Sequence, residues 1–317
     1  MRHRRCAIDD AHAPIADDSF DISSFGKGTF STIAKLELSY DRKPNGFLMI
    51  FFLTSHSLWL SAMLVVGLTT VLAGFGPVLV RRYVELERLT TNNEIAGFKF
   101  ATVGVLYAVL LAFAIIVVWQ KFNDAEAMVA QEAGAATTIY RLSNGLSAQP
   151  GAALRNAMTN YLNTVIARDW PAMGQGVTSG YRATRLALDD VYAALLAYPP
   201  SQPRAAVLES EILRQLDSIT QARRARLIAA EGLVPSVIWP VLFGGAFITI
   251  VFTFFFGTKN LRAQTAMTVL LSLLIFSNVL IVVAVDYPFT GTIKVEPTAL
   301  ARVLAEFGTK SDARGPS

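Results

Sequence analysis

Three carboxylates, Asp124, Glu126 and Glu132, follow directly on a long uncharged run. Acids at such spacing can hold a divalent cation or form an acidic vestibule, and they also suit the solvated face of a helix leaving an apolar medium. Their place just past an apolar span favours the helix-face reading. Asn92, Asn93 and Glu94 open that same run, where an Asn side-chain oxygen can cap orphan N–H groups. Arg214, Arg223, Arg224 and Arg226 approach a later apolar run and suit a juxtamembrane anchor or a hold on anionic headgroups. Asp286-Tyr287-Pro288-Phe289-Thr290-Gly291 sets a carboxylate, a rigid Pro, aromatics and a Gly at the end of the last apolar run. It reads as a helix stop with an interfacial aromatic belt, or as a contact between this turn and the rest of the chain near a pore or ligand entrance. Asn278, strongly polar within that last run, is placed to hydrogen-bond across helices.

Catalytic signatures are missing. The chain contains no HExxH, GxSxG, Walker A loop or GxGxxG after a strand. Its histidines are His3, His12 and His56, so the central region lacks the usual general base. Cys6 is the sole cysteine, which excludes an internal disulfide and a cysteine metal site. The expectation is no enzyme, no metal and no cofactor.

The elements that position these residues are apolar helices. The chain is 53% hydrophobic and 16% charged, against about 25% charged in a soluble domain. Its mean hydropathy is +0.42. The net charge of +4 and pI near 9.2 do not indicate nucleic acid, because the basic residues flank apolar runs or are balanced locally by acids.

The run from Phe100 to Trp119 carries no charge and is bracketed by Lys99 and Lys121. About 20 such residues cross a hydrocarbon core at about 1.5 Å per residue. Gly104, Ala108 and Ala112 recur every fourth residue, a small-residue stripe where a neighbouring helix can approach closely. Tyr107, Phe113 and Trp119 are aromatic residues on this span. Beyond Trp119 the apolar period continues through Phe122, Ala125, Val129, Ala136 and Tyr140, which predicts one long helix crossing the membrane and running on into water.

In chain order, residues 1–45 read as a polar, disordered tail, with Met49 as an alternative start. Residues 46–119 form a first membrane hairpin, with spans at about 57–80 and 100–119, Pro77 kinking or ending the first. Residues 120–231 form a helical soluble domain divided by turns at Ser143-Asn144-Gly145, Gln149-Pro150-Gly151, Trp170-Pro171 and Tyr198-Pro199-Pro200. Leu208, Ile212, Leu216 and Ile219 mark one of its apolar faces. Residues 232–285 form a second hairpin, with spans at about 236–258 and 263–285, and 286–317 a polar tail that frays. The predicted class is an all-α membrane protein with four transmembrane helices in two hairpins and a helical soluble domain between spans two and three. Span interiors hold no Asp, Glu, Lys or Arg, which disfavours coupled ion transport and leaves passive conduction open.

Several segments together resemble the bacterial bestrophin-like membrane family of uncharacterised function: NNEIAGFKFATVGVLYAVLLAF, the Trp119–Leu142 run with its DAE and QEA, Arg168-Asp169-Trp170-Pro171, and DYPFTG after the last span. The position before Trp170 is commonly Glu in that family; Asp169 keeps the charge on a shorter stem. The resemblance covers about residues 57–295 and implies a relation to bestrophins, pentameric anion channels with a large cytosolic helical region between transmembrane hairpins. It implies a multi-pass protein of the bacterial inner membrane, embedded in the lipid bilayer, with a cytoplasmic central domain. It further implies a homo-oligomer that passes chloride or other small anions passively, with Tyr107, Phe113 and Trp119 on span two as candidate pore-lining residues. The alternative is a non-conducting membrane scaffold or sensor whose helical domain binds a partner or ligand.

Overall fold

The computed structural model describes residues 58–91, 93–177, 181–198 and 203–312. The tail at 1–45, the alternative start, Cys6, the three histidines and Asn92 lie outside the described residues, which are helical throughout with no strand. The first helix, α1, spans Leu58–Tyr83 with a π-helical turn at Met63–Leu68. Pro77, expected to kink or stop it, lies inside the helix, which continues to Arg81 and Arg82 in its last turn. Membrane helices tolerate an interior Pro where neighbouring groups satisfy the freed carbonyl. A short α2 (Leu86–Thr91) leads into α3, Asn93–Leu142, a single helix of 50 residues. At about 1.5 Å per residue it is roughly 75 Å long. It is long and apolar enough to cross a membrane and run on as one helix.

Ser143–Gly145 turns the chain into α4, Ala148–Thr164. Gln149-Pro150-Gly151, expected as a turn, forms the first turn of α4 instead, where the missing N–H of a Pro costs nothing. A π-helical turn at Val165–Asp169 carries α4 into α5, Trp170–Gly174, so Pro171 also sits in a first turn and does not divide the helices. Then follow α6 (Tyr181–Leu196), α7 (Pro203–Ala229), α8 (Ile238–Phe254), α9 (Leu261–Val285) and α10 (Thr298–Asp312). Asn260 caps α9, its side chain accepting the Arg262 and Ala263 N–H groups at 3.1 and 3.3 Å.

Two hydrophobic cores result. The polar bundle buries Ala125, Val129, Ala136 and Ile139 of α3 against Leu154, Met158 and Leu162 of α4, Leu188 and Val191 of α6 and Ile212, Leu216 and Ile219 of α7. The apolar bundle joins Val65, Val66 and Ala73 of α1, Tyr107, Leu111 and Val118 of α3, Leu242 and Ala246 of α8 and Val279, Val282 and Val283 of α9. Phe122 packs against both. Among the described residues α1, α3 and α9 are long and apolar enough to cross a membrane, and α8 is a shorter apolar helix of 17 residues.

The segment after residue 285 departs from expectation. It does not fray: Leu300, Val303 and Phe307 of α10 are buried in the polar bundle. The Phe307 ring stacks on Tyr140 at 3.8 Å, and the Tyr140 hydroxyl donates to the Phe307 carbonyl at 3.3 Å.

Candidate functional site

The outward side of α3 carries most of the residues singled out on that span. Phe113 and Trp119 are exposed within the protomer, at 64% and 53%. Ala108 and Ala112 are exposed, and a Cβ added at Gly104 would meet nothing within 4 Å. The small-residue stripe is therefore uncovered among the described residues. Tyr107 is elsewhere. It is buried in the apolar bundle, donates to the Leu242 carbonyl at 3.0 Å and lies so close over Gly245 that a Cβ there would sit 2.5 Å from its ring. The structure does not bring Tyr107 together with Phe113 and Trp119. A shallow apolar crevice between α3 and α9 is lined by Ile115, Val118, Trp119, Ile281, Val282 and Val285.

The expected solvated acidic face divides. Asp124 and Glu126 are exposed, as a helix leaving the membrane requires, but Glu132 is fully buried. Arg226 of α7 is its partner. Its Nε donates to Glu132 Oε2 at 2.9 Å, and its Nη2 donates to Glu132 Oε1 and to Asp169 Oδ2, both at 3.2 Å. The guanidinium also stands 4.8 Å from the centre of the Trp170 ring. Tyr161 donates to Glu132 Oε1 at 2.6 Å and Thr184 to Asp169 Oδ1 at 2.6 Å. Arg223 adds a second cation, its Nε 3.6 Å from Asp169 Oδ2 and its Nη2 donating to the Tyr181 carbonyl at 3.0 Å.

Two carboxylates and two guanidiniums thus form a neutral knot tying α3, α4, the Val165–Asp169 turn, α5, α6 and α7. Burial pushes the Arg226 pKa down, and the Glu132 and Asp169 charges with the bond to Glu132 raise it by more, so the side chain stays charged. Burial, and then the Glu132 charge, push the Tyr161 hydroxyl well above its ordinary range. The knot is a correction to two expectations. Glu132 is no vestibule acid, and Arg226, fully buried, reaches no headgroup; Arg214 and Arg224 remain exposed. No group of three or more His, Cys, Asp or Glu that could hold a metal occurs among the described residues.

The DYPFTG segment links the two cores. Phe289 meets Trp170 edge to face at 5.9 Å between ring centres, and Trp170 Nε1 donates to the Val295 carbonyl at 3.2 Å. Tyr287 lies over Gly232, whose φ of 110° places it in a region that favours glycine. Asp286 accepts the Leu233 and Val234 N–H groups on Oδ1 at 3.0 and 2.7 Å. Burial pushes its carboxyl up to about 6, against the downward pull of those two bonds.

Two other expected roles change. Asn93 does not cap α3; its side chain clamps Gly257, accepting the N–H at 2.8 Å and donating to the carbonyl at 2.6 Å. Arg81 donates to the neighbouring Thr258 carbonyl. Asn278 donates to the Leu274 carbonyl of its own helix at 2.8 Å, not across helices.

Comparison with known proteins agrees with this architecture. The family model for the bestrophin-like domain matches residues 67–300. A crystal structure of a point mutant of a bacterial bestrophin homologue from Klebsiella pneumoniae is similar with a TM-score of 0.61 at 13% identity, covering 77% of this chain and 98% of that one. A crystal structure of a membrane-protein point variant is similar with a TM-score of 0.60 at 14% identity, covering 80% of this chain and 100% of that one. No curated protein matches. The family match begins within α1, takes in both cores and the knot, and ends in α10, so the chain belongs to the bestrophin-like family.

Proposed function

We propose that the protein is a homo-oligomeric membrane channel through which small anions such as chloride pass passively. In this reading α1, α3, α8 and α9 span the bacterial inner membrane as two hairpins. The polar bundle lies on the cytoplasmic side. Together with membership of the bestrophin-like family, one observation carries the reading. The charge-free stretch of α3 presents Gly104, Ala108, Ala112, Phe113 and Trp119 outward, with nothing among the described residues to cover the stripe. A second copy can approach closely along small residues, and copies arranged about an axis enclose a path that one chain does not. Phe113 and Trp119 are then the residues nearest such a path. Conduction past apolar and aromatic side chains needs no buried charge.

The test is halide and nitrate flux into liposomes carrying the purified protein, with empty vesicles as control. Flux above the control, altered by Phe113→Ala or Trp119→Ala and indifferent to Asn278→Ala, is the expected result. Absence of flux from folded, oligomeric protein at several pH values and with calcium present would sink conduction. It would leave a scaffold or sensor built on the same fold.

A further inference from the structure

Among the described residues three carboxylates are buried: Glu132, Asp169 and Asp286. The first two face guanidiniums. Asp286 is 1% exposed and forms no ion pair among the described residues. Its partners are main-chain donors. Oδ1 accepts from Leu233 and Val234, and its own carbonyl accepts the Leu233 N–H at 2.9 Å. Of the charged groups on the elements around this corner, Glu231 before α8, Lys121 and Asp124 on α3, Arg168 before α5 and Lys294 before α10 are solvent-exposed, while Asp169, Arg223 and Arg226 are buried and face charges of the knot. Tyr287 beside it is the other buried titratable group here, and burial, then the Asp286 charge, hold its proton firmly. An ionised carboxylate removed from water without a counter-charge is costly, and two N–H bonds offset only part of that cost.

The place matters as much as the chemistry. Asp286 directly follows α9, fastens the turn that opens α8, and is three residues from Phe289, which seats on Trp170 in the polar bundle. We propose that Asp286 is a proton-operated lock on this corner, closed when the carboxyl is neutral and poised to open when it ionises. The proposal concerns the corner alone and is independent of what crosses the membrane.

The direction follows from linkage. Burial holds the closed corner's carboxyl near pH 6, whereas an opened corner returns it to water and to its ordinary value of 3.8. The closed form therefore binds the proton more tightly, and acid favours closure. From about pH 7.5 to about pH 5 the closed-to-open ratio rises about tenfold.

The measurement is amide hydrogen exchange of the full chain in lipid nanodiscs, expressed at each pH as protection relative to an unstructured peptide of the same sequence. Protection at Leu233 and Val234 is expected to rise about tenfold over that acid step, with the rise setting in near pH 6 and still climbing at about pH 5. Asp286→Asn, permanently neutral, should show protection that does not change with pH over this range. Glu231→Gln should behave as the unaltered protein. Protection that stays flat or falls with acid overturns the proposal. So does a rise that survives in Asp286→Asn or disappears in Glu231→Gln. If Asp286→Asn does not fold, the unaltered protein and Glu231→Gln decide the matter by themselves.

Discussion

Arg226 holds two carboxylates that the core cannot leave unpaired. Arg226→Met would leave buried Glu132 without a counter-charge and Asp169 with Arg223 alone at 3.6 Å, and breaking one side of a buried pair costs roughly 3–5 kcal/mol. Thermal unfolding in detergent should show a large drop in Tm; Arg226→Lys should fall in between, because it keeps the charge and loses the two-pronged bond to Glu132. The knot was partly legible in the sequence. Ile212, Leu216 and Ile219 continue at alternating steps of four and three to Arg223 and Arg226, and Glu132 stands three residues after Val129 on the inward face of α3. The period places these charges inside, whereas residue type alone argues for water. Asp286 carries its own prediction. Its raised folded pKa means that the ionised form weakens the fold, so its contribution to stability falls as pH rises from about 4 to about 6 and is level above that. Asp286→Asn should remove that slope from a plot of Tm against pH.

At the level of elements, the clamp between Asn93 and Gly257 joins the start of α3 to the link between α8 and α9. Asn93→Ala removes both bonds at once and should cost about 1–3 kcal/mol. Faster amide exchange should be confined to Gly257 and its neighbours. No local pattern announces this bond, because its partners lie 164 residues apart and one of them is main chain. The turn residues misled for a different reason. Pro150 and Pro171 fall where a helix has spare N–H groups to lose, so the same residue that ends one helix is accommodated at the start of another. In α10 the signal was present, since Leu300, Val303 and Phe307 share one face at helical spacing. A mostly polar composition hid it.

At the scale of the whole molecule the apolar surface is not yet covered. Trp59, Phe75, Phe98, Phe113 and Phe247 each expose more than half of their area, as lipid or a neighbouring protomer would permit. Gly104→Leu or Ala108→Leu adds bulk where a second copy is expected to approach, with no clash inside the chain at Gly104. Each variant should fold, keep its helix content and shift toward monomer in light scattering in mild detergent. A shared assembly interface is illegible in one sequence because every residue in it must also be acceptable to lipid; the stripe shows where an approach is allowed, and the count of copies lies beyond it.

One helix belongs to both cores, and Phe122 packs against each. A helix is stiff along its axis, so α3 behaves as a lever with its fulcrum near Phe122. For a rod of about 75 Å, a tilt of about 5° about its middle displaces each end by roughly 3 Å, in opposite directions. A ligand or partner that nudges the polar bundle thus moves the far end of the spanning segment without unfolding anything between them. The transmission is set by the ratio of the two arms.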